Sequence, residues 1–267
     1  DLLDKFVSMR TRRSFNAFTW KFGAEYDIAP ASMLYATASK GFKSGGFFVA
    51  PAPDNTYDPE FLTSFTLGIR NRFLNNRLQF NVEAFYWKYR DQQATSVGYT
   101  DTGFIALVTR NAGRSSPYGF DADLVFRATS NGTISANVAY LHSEYKEFNL
   151  LYPEALAPSL NTACRVGGTN GATPPSLILD CSGFQLARAP KWSGSVTYQH
   201  VFYLGNDTTL TAVANGSFVS GRFLSVDQFL PLTYSPGYAL ANFDLTYDRP
   251  ALGLSVTAFV RNITNKA

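Results

Sequence analysis

Methionine, histidine and cysteine are nearly missing from this chain, with two of each in 267 residues. So few sulfur and imidazole groups exclude Cys/His-rich metal domains, and no Cys/His spacing reads as a metal site. No apolar stretch approaches the ~18 residues that a spanning helix requires, which excludes a helical membrane protein. A membrane β-barrel stays open, because each of its strands carries a much weaker signal. The net charge of +3 is dispersed, and no Lys/Arg cluster reads as a nucleic-acid footprint. No glycine-rich loop opens a helix to cradle phosphate, and nothing in the sequence requires a cofactor. The opening Asp1-Leu-Leu-Asp has neither the basic nor the apolar region of a secretory leader. For an exported protein, processing or truncation is therefore expected.

Aromatic residues are abundant by contrast: 23 Phe and 15 Tyr. They suit the pleated, half-covered surface of a β-strand. The main signal is alternation with period two. Phe18, Trp20, Phe22, Ala24 and Tyr26 share one face, with Thr19, Lys21, Gly23 and Glu25 between them. The same pattern runs through Leu78–Tyr86, Tyr118–Phe126, Ala239–Tyr247 and Leu254–Val260, and more weakly through 33–40, 61–73, 133–145, 191–203 and 209–223. About ten strands and no helix are predicted.

Short polar turns are expected at Asp27–Ser32, Leu74–Arg77, Thr129–Gly132, Leu204–Asp207 and Arg249–Leu252. Longer links fall near 41–60, 91–103, 146–190 and 224–236. Short and long connections alternate strictly, so one sheet end gathers the turns and the other the loops, as in outer-membrane barrels. Alternation alone leaves open whether the apolar face points into a soluble core or out into lipid. Three features favour lipid: the loop asymmetry, the charged residues opposite the apolar face, and the aromatics near strand ends. The last group, Trp20, Tyr26, Tyr86, Tyr118, Trp192 and Tyr247, matches the interfacial girdles of membrane proteins.

Several segments, in order, resemble the C-terminal half of TonB-dependent outer-membrane receptors, in their siderophore-receptor-like branch. They are Leu34-Tyr-Ala-Thr-Ala-Ser-Lys-Gly-Phe-Lys-Ser-Gly-Gly-Phe47, Tyr57-Asp-Pro-Glu60, Ser64-Phe-Thr-Leu-Gly68 and Leu78 to Asp91. Asn111-Ala-Gly113 with Tyr118-Gly-Phe-Asp-Ala-Asp123 resembles the next descending strand, and Ala189-Pro-Lys-Trp192 and Arg261-Asn-Ile-Thr-Asn265 later landmarks. The chain departs from the family at Thr66, where Glu is frequent, and at Ile263-Thr-Asn265, where Leu-Thr-Asp is frequent.

The resemblance implies an all-β fold, an antiparallel transmembrane β-barrel, of which residues 1–267 would form a partial barrel domain. These would be roughly strands 12 to 21 of a barrel of about 22. Plug, first barrel half and closing strand would lie outside it, and open strand edges cannot face lipid, so no closed receptor barrel is expected from this stretch alone. The implied function is uptake of a scarce large solute, with a ferric siderophore as the first expectation. The implied partners are outer-membrane lipid and, through the plug, the TonB energy-coupling complex. A receptor for a vitamin, saccharide or aromatic compound is the alternative; a passive porin and a soluble β-rich module are the others.

Binding residues tend to sit on loops held by a rigid scaffold. The loop candidates for gripping an iron chelate are Phe42, Phe47, Phe48 and Tyr57, then Tyr99 and Phe104, then Tyr145 with Phe148 and Tyr152. Packing of the loops against one another is the competing explanation. Arg165, with Arg188 and Lys191, could attract an anionic ligand. Lys21, Glu83, Asp121, Asp123 and Arg261 are expected to face the lumen or plug. Cys164 and Cys181, 17 positions apart, could form a disulfide contributing roughly 3 kcal/mol, or remain buried thiols. No catalytic residue is expected; His142 with Glu144 resembles the His/carboxylate sites of omptin proteases only weakly. His200 reads as an interface residue. Asn-x-Ser/Thr triplets at Asn131, Asn206, Asn215 and Asn262 are better explained by turn chemistry than by glycosylation.

Overall fold

The computed structural model describes residues 12–49, 55–100, 102–228 and 232–266. The Asp1-Leu-Leu-Asp opening and Ala267 lie outside the described residues. The chain is almost entirely antiparallel sheet. Ten long strands carry it: β1 (Trp20–Ala29), β2 (Ser32–Lys43), β5 (Glu60–Phe73), β6 (Leu78–Tyr99), β8 (Tyr118–Arg127), β9 (Gly132–His142), β13 (Trp192–Gly205), β14 (Thr208–Val219), β17 (Tyr238–Arg249) and β18 (Leu254–Val260). They pair in that order, each with the next. These ten correspond to the expected strands, but the main sheet has fourteen, four more than expected. Between them lie the short pairs β3 (Gly46–Phe47) with β4 (Thr56–Tyr57) and β15 (Arg222–Phe223) with β16 (Tyr234–Ser235), and the upper strands β7 (Ile105–Ser115), β10 (Tyr145–Pro153), β11 (Arg165–Thr169) and β12 (Ser176–Asp180).

All five short turns fall at one end of the sheet, between β1 and β2, β5 and β6, β8 and β9, β13 and β14, and β17 and β18. Their chemistry is local. Asn206 and Asp207 take left-handed φ of 49° and 56°, and Asn75 and Asn76 take 54° and 63°. Asn and Asp tolerate this region, and two such residues in succession match the strand twist of a tight hairpin.

Register carries the apolar residues of every long strand onto one face. One row runs Tyr26, Leu34, Ile69, Val82, Ala122, Val138 across six strands. On the long-loop side of it runs Ala24, Ala36, Leu67, Ala84, Phe120, Tyr140, Trp192. The ring contacts Phe120–Tyr140 at 5.8 Å and Tyr140–Trp192 at 4.7 Å make part of an aromatic girdle near the loop end. His200 lies on this same face near the turn end, between Tyr198, whose Oη is 2.8 Å from its Nδ1, and the Phe202 ring at 4.4 Å.

The loop end differs from the expected pattern in two ways. The link 91–103 is not a loop: β6 continues to Tyr99 and turns back into β7, which pairs with it from Tyr99↔Ile105 to Tyr89↔Ser115. Asn111-Ala-Gly113 belongs to β7 rather than to the strand of Tyr118–Asp123. At 22 residues, β6 is about 70 Å long, far beyond what a tilted strand needs to cross ~30 Å of hydrocarbon. Its upper half pairs with β7 and packs Ala94 and Val97 against the cap, and it carries Arg90, Asp91, Gln92, Gln93 and Thr95 without apolar alternation. The 146–190 link likewise folds into β10, β12 and β11, which continue the sheet beyond β7, with a 3-10 turn at Glu154–Ser159.

This cap holds the hydrophobic core. Every buried hydrophobic side chain among the described residues lies in it or in the β6–β7 hairpin: Ala94, Val108, Tyr145, Phe148, Leu150, Tyr152, Cys164, Leu179, Cys181 and Leu186. The ten-strand sheet below buries none, because each of its faces meets an environment rather than a second layer.

Candidate functional site

Two surfaces carry chemistry: the polar face of the sheet and its loop end. On the polar face, Glu25, Tyr35, Gly68, Glu83 and Asp121 form one cross-strand row. Gly68 leaves room for the Tyr35 ring to lie across β5; a Cβ there would meet Tyr35 Cζ at 2.4 Å. The Tyr35 hydroxyl thereby reaches two strands over and donates to Glu83 Oε2 at 2.6 Å, while the Arg70 guanidinium sits over its ring at 4.8 Å. In the next row the Asn81 amide donates to Asp123 Oδ2 at 2.9 Å, and Asn137 donates to Ser195 at 3.1 Å. Lys21 pairs with Ser39 in register on the same face. Arg261 follows β18 and donates through Nη1 to Asp244 Oδ2 at 2.7 Å, forming a two-point ion pair.

At the loop end, the predicted contact residues separate into groups. Tyr145 is a core residue, 3% exposed and stacked on Phe148 at 4.0 Å, so it is not available to a ligand. Burial pushes its hydroxyl pKa up to about 12. Phe148, completely buried, packs over Gly113 of β7, where a Cβ would meet its ring at 2.4 Å; this close approach docks the cap on the hairpin. Phe42 is also misplaced by the sequence pattern: it lies in β2, opposite Phe61 and stacked on it at 6.4 Å, on the apolar side of the sheet. Strand alternation simply continues past the membrane zone there.

Arg165 is engaged with Asp180, its Nη2 at 2.8 Å from Oδ2, and also donates to the Ser182 carbonyl at 3.0 Å. The Ser182 hydroxyl and backbone N–H, followed by Arg165, hold the Asp180 carboxyl down to about 2. Beside this pair Cys164 and Cys181 are joined in a disulfide with Cα atoms 4.6 Å apart.

Of the remaining aromatics, two are open to solvent and three half-buried. Phe47 in β3 is 39% exposed and Phe104, at the tip of the β6–β7 hairpin, 55%. Phe48 and Tyr57 are half-buried in the first long loop, which is tied to β7 by reciprocal bonds between Asp58 and Asn111 at 2.7 and 2.8 Å. Tyr99 lines a cleft of about 240 Å³ between the hairpin and the cap, with Arg110, Leu151, Asn170 and Pro174. The sequence pattern does not reveal Arg110, whose strand β7 carries no alternation, or Asn170, which lies in the connection between β11 and β12.

His142 Nε2 lies 3.6 Å from Glu144, but Glu144 is also paired with Lys146, whose hydrogen bond lowers its pKa and keeps it ionised. Among the described residues no three His, Cys, Asp or Glu side chains gather as a metal site.

An antiparallel sheet with one continuous apolar face, one hydrogen-bonded polar face, tight turns at one end and a folded loop cap at the other defines an outer-membrane β-barrel protein. Residues 4–263 match the family model described as TonB dependent receptor-like, beta-barrel, and the chain belongs to that family. Over 144 residues it is 26% identical to the metal-pseudopaline receptor CntO of Pseudomonas aeruginosa, covering 52% of this chain and 19% of that protein. Its fold is similar to the ferric yersiniabactin uptake receptor FyuA of Yersinia pestis, with TM-score 0.66 and 15% identity over 92% of this chain and 32% of that one. It is also similar to the siderophore receptor PiuA of Acinetobacter baumannii, with TM-score 0.61 and 18% identity over 93% of this chain and 32% of that one. The chain thus spans about a fifth to a third of the length of these relatives. The family works in uptake across the outer membrane and consists of transport receptors rather than enzymes.

Proposed function

We propose that the protein captures a metal chelate of the siderophore type at the cell surface and that a full receptor carries it inward, energised through TonB. One observation carries this reading: exposed aromatics and a cleft at the loop end stand above a polar face rich in carboxylates and amides. Phe47, Phe104 and Tyr99 offer flat apolar surface to an amphipathic chelate, and Arg110 beside Tyr99 offers a cation to its anionic groups. Below them Lys21, Glu83, Asp121, Asp123 and Arg261 would line the lumen or meet a plug. The relatives named for metal-pseudopaline and ferric yersiniabactin support a metal chelate as cargo.

On this reading the described sheet, whose edges β1 and β18 are not paired with each other, is one part of a barrel completed by the rest of the receptor. A plug would occupy the lumen, and the inner-membrane energy complex would pull on it to open a path. The test is uptake of labelled ferric chelates by cells carrying the full-length receptor, with and without a protonophore. Uptake that survives the protonophore would rule out energised transport. Growth rescue by a vitamin or saccharide, with no binding of any ferric chelate, would overturn the cargo class.

A further inference from the structure

A groove of about 650 Å³ lies on the apolar face over β1, β2, β5 and β6, far from the loop-end cleft. Ala24, Ala36 and Ala84 lie along its floor, with Leu67 rising between Ala36 and Ala84, and Phe22, Phe65 and Tyr86 form its walls toward the loop end. Small residues between large ones leave a depression that the strands themselves do not fill. Phe22 is 71% and Phe65 42% exposed.

The residues immediately beyond the groove change character. Two positions along from Ala38 is Lys40; two along from Tyr86 is Lys88; both stand in one cross-strand row with Thr63 between them. Arg90 follows in the next row, opposite Phe61. Lys40 and Lys88 are two strand spacings apart, about 10 Å, so their flexible stems can bring both ammonium groups onto a single anion. Lys88 Nζ lies over the ring of Tyr86, a groove wall, at 5.7 Å, and Lys40 Nζ over the Phe61 ring, one row further toward the loop end, at 5.2 Å. Among the described residues none of these three cations forms an ion pair, and Glu144, an acid near this girdle, is engaged with Lys146.

The geometry points to a docking site for a phosphorylated acyl lipid of the outer leaflet, with a chain in the groove and its phosphate held by Lys40 and Lys88, assisted by Arg90. The cations stand on the loop side, which faces outward, where the headgroups of that leaflet lie. A hydrocarbon chain alone would need no cations, and free phosphate would need no groove; only an anionic lipid uses both. The site does not depend on the identity of the transported solute.

The test uses the delipidated full-length receptor in neutral detergent, titrated with lipid A, with its dephosphorylated form and with inorganic phosphate, bound lipid being counted by native mass spectrometry. Lipid A should bind, dephosphorylated lipid should bind much more weakly, and inorganic phosphate should not compete at matched concentration. Lys40→Gln or Lys88→Gln should each weaken lipid A binding about fivefold, and the pair roughly 25-fold. Ala36→Trp, which fills the groove from the lipid side, should weaken both lipids alike. Heat-modifiable migration on gels confirms that each variant is folded. Equal binding of the two lipids by the wild-type receptor would overturn the proposal, as would a folded lysine pair variant that binds lipid A unchanged.

Discussion

Removing the disulfide tests the inference that the loop cap is a folded unit with its own core. Cys164 and Cys181 close a loop of 17 residues that contains β11, β12 and their connection. Loop-closure entropy for that length is worth about 3 kcal/mol. Replacing both cysteines with serine should therefore raise the open population of the cap on the order of 150-fold. The rest of the cap core, Phe148, Leu150 and Leu179, keeps its packing, so the folded arrangement should persist at equilibrium while opening more often. Hydrogen exchange on the full-length receptor reads this directly. The paired strands β10 and β12, where Leu150 faces Leu179, should lose about two decades of protection, whereas β13 and β14 should not change. The sheet is insulated because its stability resides in continuous backbone ladders, not in the cap. Unchanged exchange in β10 and β12 would refute the claim that the disulfide restrains this unit. Equal loss in β13 and β14 would refute the separation of cap from sheet.

Three further outcomes follow from particular contacts. Phe148→Ala removes a fully buried ring and should cost the cap about 3–5 kcal/mol, seen as rapid proteolysis between residues 143 and 190 with the strands intact. Phe104→Ala should change stability by less than ~0.5 kcal/mol while weakening chelate binding, whereas Tyr145→Ala should open the cap; calorimetry and ligand titration separate the two effects. The Asp180 carboxyl has its pKa depressed to about 2 from 3.8, so its contribution to cap stability is complete above about pH 4 and is lost as pH falls toward 2. Asp180→Asn should remove that acid-dependent part of cap protection; an identical acid profile in the variant would show that other groups set it.

Where the sequence was legible, the reason is that one environment faced each side of a strand. Phe22, Ala24 and Tyr26 alternate with Gly23 and Glu25 because lipid lies on one side of β1 and polar surroundings on the other. The same holds for Val82 and Ala84 against Glu83, and the tight turns at Asn75–Asn76 and Asn206–Asp207 are local chemistry. Above the membrane zone this condition ends. Asp91–Tyr99 is strand without alternation, so its sequence resembles a loop. Tyr145, Tyr99 and Phe104 are all aromatics in long connections, and nothing in their own neighbourhood tells core from surface. Tyr145 is buried because Phe148, three residues on, stacks on it and Cys181 and Leu186 join the cluster from distant positions, whereas Tyr99 stays half-open beside the cleft.

The sequence by itself therefore determined the ten amphipathic strands, their polarity and the end at which the loops gather, since these depend on residues one or two positions apart. Tertiary structure alone decided which loop aromatics form a core and which remain exposed. It also decided that Lys40 and Lys88 share a row above a groove, because each of these depends on partners brought together by register across the sheet.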